Sequence, residues 1–282
     1  MWGGAAVTPT YEYENIPGID RLGRFCGNEL AIKQIAGISA QLGKKRILTE
    51  TFGCSGYDVT PKELKSIAEF QYFGGVNVMC QHLYPYSVAG RGRIDHPPVF
   101  GPHGNWNEGF KVFNDYFARL SYIIVNTKEI AKVGVINPVR DIWLDYVRDE
   151  DYESVKNTEN EFKEFLTVLR KSGVEYQLID ERILERHGKA ENGVLKVGEC
   201  VYDTVILPKM RNLSSSTYNV LKGYTGKLCL LSKPEFIDGK REEVSLCGNV
   251  SLDEVLSARR IKYACQDGKS ILTARSGGIG GV

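Results

Sequence analysis

The chain has 282 residues, of which 42% are hydrophobic and 25% charged, and its formal net charge is +1. This length allows two domains, and the near-neutral charge gives no reason to expect nucleic acid or an anionic membrane as a partner. The sequence has no run of about 18 apolar residues, so it predicts no transmembrane helix.

The seven cysteines are scattered along the chain and include no C-x-x-C pair. Such a set is typical of reduced thiols, so the sequence predicts a cytoplasmic location and neither a disulfide framework nor a zinc site. The first residues also lack the basic start and apolar core of a signal peptide. Cys80, Cys200 and Cys229 lie in apolar runs, where we expect small buried hydrophobic side chains.

The first half of the chain predicts a turn-rich segment over residues 11–20, a helix over 28–42 and a strand over 46–50. Thr60-Pro-Lys-Glu63 has the capping-box pattern, so a helix is predicted from there to about Phe73. A second strand begins at Val76. Because a helix of about a dozen residues joins the two strands, we expect them to pair in parallel.

A long loop over residues 87–108 follows, and its Gly, Pro, Arg and His content is typical of a functional or disordered loop. After a helix that carries Phe110, Phe113 and Phe117, alternating strands and helices restart near Lys128. The predicted segments are strands over 133–136, 174–179, 204–207 and 227–231, with helices over 160–171 and 214–221. This alternation indicates a doubly wound α/β domain.

Polar and aromatic side chains follow the two strands of the first half. Glu50 ends one strand, and the other leads into Gln81, His82, Tyr84 and Tyr86. Because the carboxyl ends of parallel strands meet at one edge of a sheet, we expect these side chains at a common site. Side chains alternate along a strand, so Gln81 and His82 point to opposite faces, and we prefer His82 as a ligand contact.

Several motifs together resemble large bacterial glycoside hydrolases of the α-L-rhamnosidase-like type, which are related more distantly to barrel β-galactosidases. The motifs are Ile16-Pro-Gly-Ile-Asp20, Thr49-Glu-Thr-Phe-Gly53, Gln81-His82, Asp95-His-Pro-Pro98, Trp106, Asn114-Asp-Tyr-Phe-Ala-Arg-Leu-Ser121, Val133-Gly-Val-Ile-Asn-Pro138 and Tyr202-Asp-Thr-Val-Ile-Leu-Pro208. The resemblance implies the C-terminal part of a (β/α)8 barrel followed by a flavodoxin-like doubly wound α/β domain. We therefore expect a piece of a larger enzyme, with a partial barrel over 1–127, a flavodoxin-like domain over 128–240 and a further domain or tail over 241–282.

The same resemblance implies hydrolysis of O-glycosidic bonds in rhamnoside- or galactoside-like substrates. Glu50 would end the seventh barrel strand and act as one of two catalytic carboxylates, and His82 would end the eighth strand. The partner carboxylate would come from about the fourth strand, which this chain does not contain. Two carboxyl groups are needed because one protonates the leaving oxygen while the other attacks the sugar or activates water.

Arg91, Arg93 and Trp106 in the long loop, with Asp95 and His96, are further candidates for sugar contacts, although exposed arginines are more often only solvated. No His, Cys and Asp spacing indicates a metal site, and no cofactor is predicted.

The second domain has neither a dinucleotide-binding nor a P-loop motif, so we expect a structural role. That role includes contact with another subunit, for which Trp143 and Tyr146, expected in a loop after residue 136, are candidates. A non-catalytic carbohydrate-binding or assembly protein with a degenerate barrel remains the alternative function, and a nucleotide-binding protein is a weaker one.

Overall fold

The computed structural model describes residues 7–24, 29–104, 106–147, 152–259 and 275–277. Its α-helices are α1 (Leu30–Gln41), α2 (Pro61–Phe73), α3 (Phe110–Val125), α4 (Val139–Asp145), α5 (Glu153–Lys171), α6 (Glu181–His187), α7 (Ser215–Lys222) and α8 (Leu252–Arg259). Short 3-10 helices cover Thr8–Glu12 and Gly90–Arg93.

The strands are β1 (Gly18–Arg21), β2 (Leu48–Thr51), β3 (Val78–Gln81), β4 (Lys128–Glu129), β5 (Val133–Ile136), β6 (Tyr176–Ile179), β7 (Gly188–Glu191), β8 (Val194–Val197), β9 (Cys200–Tyr202), β10 (Thr204–Leu207), β11 (Asn212–Leu213), β12 (Lys227–Leu230), β13 (Phe236–Ile237), β14 (Lys240–Arg241) and β15 (Arg275–Ser276). The chain is therefore a mixed α/β protein. Its four-stranded sheet and the three-stranded sheet β1-β2-β3 are built from parallel strands.

The chain divides into two compact units. The first unit comprises Asn15–Ala36, Lys44–Glu129 and Ile271–Val282, and the second comprises Met1–Glu14, Gly37–Gly43 and Ile130–Ser270. The boundary between the units falls within helix α1. Its residues up to Ala36 belong to the first unit, and its residues from Gly37 onward belong to the second.

The first unit contains a parallel sheet in the order β1-β2-β3. The predicted parallel pairing of the strands on either side of α2 is confirmed. The predicted capping box is also confirmed, since the Thr60 side chain accepts from the Glu63 backbone N–H and the Glu63 carboxylate accepts from the Thr60 backbone N–H. These bonds satisfy backbone donors that would otherwise be left at the start of the helix.

Aromatic side chains hold helices α2 and α3 together in the first unit. Phe117 of α3 is 2% exposed, and its ring centroid lies 5.0 Å from that of Tyr72 in α2. Phe113 and Phe110 continue the row along α3, and the Phe110 ring stacks on Phe100 at 4.9 Å. Burial of such large rings is the main source of packing energy in a small unit.

The second unit contains a parallel sheet in the order β12-β10-β5-β6. Every residue of β5, β6 and β10 is buried, as expected for parallel strands that are covered on both faces. These strands lie where the apolar runs of the sequence predict them. The helix predicted over residues 214–221 is α7, and Ser214 is its N-cap.

Other predictions about this half are wrong. Helix α5 begins at Glu153 rather than at residue 160, because its first two turns are mostly solvent-facing and lack an apolar rhythm. Trp143 lies in helix α4 rather than in a loop, and Tyr146 is the C-cap of that helix. The sequence also gave no prediction for the antiparallel sheet β7-β8-β9. Its first turn is Asn192-Gly193 with φ values of 51° and 75°, a common hairpin signal.

The turn-rich segment predicted over residues 11–20 is also corrected, since it contains strand β1, which pairs with β2. The expectation for the cysteines is right for Cys229, which is buried, and wrong for Cys80, which is exposed on β3. Cys200 is half-buried. Among the described residues, no helix has the length and apolar character needed to cross a membrane.

Candidate active site

Two carboxylates lie side by side on one face of the β1-β2-β3 sheet. The register aligns Asp20 of β1 with Glu50 of β2, and Glu50 with Cys80 of β3. Aligned residues of neighbouring strands project to the same face, so these three side chains share it. Neighbouring strands are about 4.8 Å apart, which makes Asp20 and Glu50 close neighbours.

Helix α2 covers the opposite face of this sheet. Thr49 and Thr51, which flank Glu50, are fully buried, and both bond to the Gln71 amide of α2. The Thr49 hydroxyl donates to Gln71 Oε1 at 2.5 Å, and Gln71 Nε2 donates to Thr51 Oγ1 at 2.9 Å. Because side chains alternate along a strand, Glu50 projects away from α2 while its two neighbours are fixed by it.

The carboxylates of Asp20 and Glu50 are available for a ligand. Asp20 is exposed and Glu50 is half-buried. Within the described part of the chain, neither carboxylate has a hydrogen bond or an ion pair with another side chain. A carboxylate that a strand holds in place, and that is not paired with a cation, can accept hydrogen bonds from sugar hydroxyls. It can also act as a general acid or base.

The turn that follows β2 is tightly built. Phe52 has a φ of 81°, a left-handed conformation that is uncommon for a residue with a large side chain. Its ring is fully buried and lies 5.8 Å from Phe100 and 6.1 Å from Phe113. At Gly53 an added Cβ would lie 3.1 Å from Cγ of His82 and closer still to Leu22, so the close approach favours glycine.

His82 lies directly against this turn. Its backbone N–H donates to the Thr51 carbonyl at 2.9 Å, and its side chain is 8% exposed. The ring meets His96 edge-to-face at 5.8 Å, and its Nδ1 atom has no hydrogen-bond partner among the described residues. The structure therefore places His82 beside the residues that follow Glu50.

A thiol and an imidazole meet at the same turn. Cys54 Sγ lies 3.0 Å from Nδ1 of His96, and Nε2 of the same ring lies 3.9 Å from the Asp95 carboxylate. All three side chains are exposed. The Cys54 backbone N–H also donates to the His96 carbonyl at 3.2 Å, which joins the turn after β2 to the long loop.

Gln81 is separated from the carboxylates. It is aligned with Thr51, on the face covered by helices, and its Nε2 donates to Asn114 of α3 at 2.9 Å. In this placement Gln81 links β3 to α3 on the face of the sheet opposite Glu50.

The remaining predicted contacts lie farther along the chain. Tyr84 is mostly exposed, with its ring against Gly101, and Tyr86 is completely exposed. Arg91 and Arg93 are exposed in the short helix Gly90–Arg93. Trp106 is half-buried with its ring 6.1 Å from Phe100, so packing accounts for at least one face of its indole. The contacts found for these side chains do not include Glu50.

The sequence did not identify Asp20 or Cys54 as site residues. Asp20 lies in a strand of four residues, which is too short for its alternation to stand out after Pro17. Cys54 pairs with a histidine 42 positions away, and no local pattern predicts that contact. In the described ranges, no three His, Cys, Asp or Glu side chains are grouped so that they could hold a metal ion.

Comparison with known sequences gives one partial match. No protein-family model matches the chain. Over 108 residues the sequence is 32% identical to a "Putative beta-glucuronidase" from Formosa agariphila, a match that covers 36% of this chain and 9% of the relative.

Solved structures match more of the chain at lower identity. The rhamnosidase from Novosphingobium sp. PP1Y has a TM-score of 0.59 and 16% identity, and the match covers 82% of this chain and 22% of that one. A catalytic mutant of Gan42B, a GH42 β-galactosidase from G. stearothermophilus, has a TM-score of 0.52 and 13% identity, with 79% and 33% covered. This chain thus spans a minor part of each protein it matches, and its fold is glycoside hydrolase-like.

Proposed function

We propose that this chain is part of a glycoside hydrolase that cleaves O-glycosidic bonds, with Glu50 as a catalytic carboxylate. The observation that carries the proposal is the placement of Glu50 on β2. Its neighbours Thr49 and Thr51 are fixed by Gln71, while its own carboxylate lies beside Asp20 on the face that α2 leaves uncovered. The glycoside hydrolase-like fold supports the same reading.

In this proposal the first unit is the C-terminal part of a (β/α)8 barrel, and the face that carries Glu50 is the interior of that barrel. Three aligned parallel strands with helices on the other face support this. The second unit is flavodoxin-like, which its parallel strand order β12-β10-β5-β6 supports. The proposed domains are 1–127 and 128–240, followed by 241–282, and the second domain has a structural role that includes contact with another subunit.

Glycoside hydrolysis requires a second carboxyl group opposite Glu50. We place that group in a part of the enzyme outside this chain. The proposed substrates are rhamnosides or galactosides, because the structural neighbours are a rhamnosidase and a β-galactosidase. Proposed sugar contacts are His82, Tyr84, Tyr86, Arg91, Arg93 and Trp106. The proposed location is the cytoplasm, which the scattered cysteine pattern of the sequence supports.

The test uses the native gene product that contains this chain. Nitrophenyl α-L-rhamnoside, β-D-galactoside and β-D-glucuronide are offered as substrates to the wild type and to Glu50→Gln. The substitution keeps the size of the side chain and removes its charge, so we expect turnover to fall by at least about 10²-fold. The matched control is Glu243→Gln, an exposed glutamate in the second unit, which should leave turnover unchanged.

A loss of less than threefold in a folded Glu50→Gln protein would contradict the catalytic role. If the native protein binds these sugars in calorimetry but hydrolyses none of them, the alternative of a carbohydrate-binding protein with a degenerate barrel is favoured.

A further inference from the structure

We propose that Cys54 is a reactive thiol, activated by His96, and that it is a site of covalent modification by soft electrophiles, including peroxides. The proposal concerns chemistry that glycoside hydrolysis does not use, and it stands whether or not the protein is a hydrolase. It rests on the contact between the thiol and the imidazole, on the exposure of both groups, and on the surroundings of the turn.

The geometry provides a nucleophile and a base within hydrogen-bond distance. Cys54 Sγ and His96 Nδ1 are 3.0 Å apart, and the Asp95 carboxylate lies 3.9 Å from the other ring nitrogen. The thiolate is the reactive form of cysteine, and a neighbouring imidazole promotes it by accepting the proton. The Asp95 carboxylate is too far for a hydrogen bond to the ring but places a negative charge near its second nitrogen.

The turn holds the thiol toward solvent. Cys54 has a φ of 62°, and its backbone N–H is bonded to the His96 carbonyl, so the backbone of each partner helps to fix the other. The buried ring of His82 lies edge-to-face against His96 and carries a nitrogen, Nδ1, with no hydrogen-bond partner in the described ranges. A buried ring nitrogen without a hydrogen-bond partner next to His96 is a second sign that these residues form a reactive or binding site rather than only a packed cluster.

The same turn argues against a complete hydrolytic centre at Cys54. Acyl transfer needs backbone N–H groups free to bind an oxyanion. Here the N–H groups of Cys54, Ser55 and Gly56 already donate to the carbonyls of His96, Phe52 and Pro97. With those donors occupied, the pair is suited to a single displacement step in which the Cys54 sulfur is the nucleophile.

In that step the sulfur electron pair forms a bond to the electrophilic atom, and the leaving group departs with the electron pair of the broken bond. The thiol proton passes to Nδ1 of His96. With iodoacetamide the new bond is S–C and iodide leaves. With hydrogen peroxide the O–O bond breaks, the departing hydroxide takes up a proton to become water, and sulfur is oxidised by two electrons to a sulfenic acid.

The chain supplies its own controls. Cys247 is exposed and has no histidine contact among the described residues. Cys80 also lacks a histidine contact there and is exposed in this chain, and it serves as a second comparison although it would face the interior of the proposed barrel. The intact native protein is treated with limiting iodoacetamide at neutral pH, and labelling of each cysteine is followed by peptide mass spectrometry. We expect Cys54 to react at least about tenfold faster than Cys80 or Cys247. Equal or slower labelling of Cys54 would overturn the proposal.

The variant His96→Asn removes the base and suits the left-handed backbone at this position, where φ is 47°. It should lower the labelling rate of Cys54 to within about threefold of Cys247 and leave the other two rates unchanged. An unchanged Cys54 rate in the folded variant would refute the role of His96. If the variant does not fold, the wild type in urea replaces it: the three rates should converge there, and a persistent advantage of Cys54 would also refute the proposal.

Discussion

Asp20 and Glu50 are aligned partners on neighbouring parallel strands, and both carboxylates lie on the sheet face opposite helix α2. Two carboxylates placed side by side can both accept hydrogen bonds from one ligand. The pair therefore makes this face the part of the first unit best prepared to receive a polar ligand.

The first prediction concerns Asp20. In the native enzyme, Asp20→Asn should lower kcat/KM by about tenfold or more, because it removes an acceptor and a charge beside the proposed catalytic carboxylate. The measurement is steady-state kinetics on the aryl glycoside that the wild type hydrolyses. Asp115→Asn is the control, since Asp115 forms only an exposed pair with Lys111 on α3. Equal activity of the two variants would remove Asp20 from the site.

The second prediction concerns Gln71. Gln71→Met keeps the shape of the side chain but leaves the buried hydroxyls of Thr49 and Thr51 without this partner. We expect the free energy of unfolding to fall by about 2–4 kcal/mol, measured by urea denaturation. Gln81→Met removes one exposed bond to Asn114 and should cost under about 1 kcal/mol. Similar losses for both variants would show that Gln71 does not hold the strand.

The third prediction concerns the aromatic row on α3. Phe117→Ala removes a buried ring that lies 5.0 Å from Tyr72 and 4.8 Å from Phe113, and should cost about 3–5 kcal/mol. Val112→Ala, at an exposed position of the same helix, should change stability by less than about 0.5 kcal/mol. Thermal unfolding followed by circular dichroism distinguishes the two. A loss below about 1 kcal/mol for Phe117→Ala would mean that this cluster is not part of the core.

The fourth prediction concerns pH. Burial raises the pKa of the Glu181 carboxyl in the second unit above its ordinary value of 4.5, although its bond from the Ser214 N–H opposes the shift. The folded state therefore holds this proton more tightly than the unfolded chain, and the contribution of Glu181 to stability falls as pH rises from that value through the raised pKa. Glu181→Gln cannot ionise, so the stability of the variant relative to the wild type should rise between about pH 5 and about pH 8.

Glu254 has a pKa shift of the opposite sign and serves as the control for this measurement. Bonds from the Ser251 backbone N–H and hydroxyl hold the pKa of the Glu254 carboxyl below its ordinary value. Its stabilising contribution is fully present above that value and is lost only as pH falls below it, so the stability of Glu254→Gln relative to the wild type should stay constant between about pH 5 and about pH 8. If urea denaturation at the two pH values gives the same trend for both glutamine variants, this account of Glu181 is wrong.

Much of the fold could be predicted from local patterns. The apolar runs at β5, β6 and β10 and the capping box before α2 gave the right elements, because these signals come from neighbouring residues. The spacing of apolar residues in the sequence did not predict strand β1 or the antiparallel sheet β7-β8-β9. Unlike β5, β6 and β10, strands β1, β7 and β8 include charged residues, and pairing with other segments decides their conformation.

The candidate site could be predicted only in the part that depends on strand ends. Glu50 could be proposed because it closes an apolar strand, and the alternation rule places Gln81 on the opposite face. Asp20 becomes a neighbour of Glu50 only through the register of β1 on β2, and Cys54 meets His96 only when two loops come together. Contacts between distant segments depend on the tertiary fold, and a single sequence contains no local signal for them.

The aromatic packing around Phe52 supports the turn that follows Glu50. Phe52 lies two residues after Glu50, and its ring is held by Phe100 and Phe113 in a backbone conformation that costs energy without that support. Warming that loosens these rings would release the turn and displace the acid while the strands are still paired. If the chain belongs to the proposed hydrolase, we therefore expect inactivation to begin below the calorimetric transition, because the turn after Glu50 depends on the packing of these rings and not on the pairing of the strands.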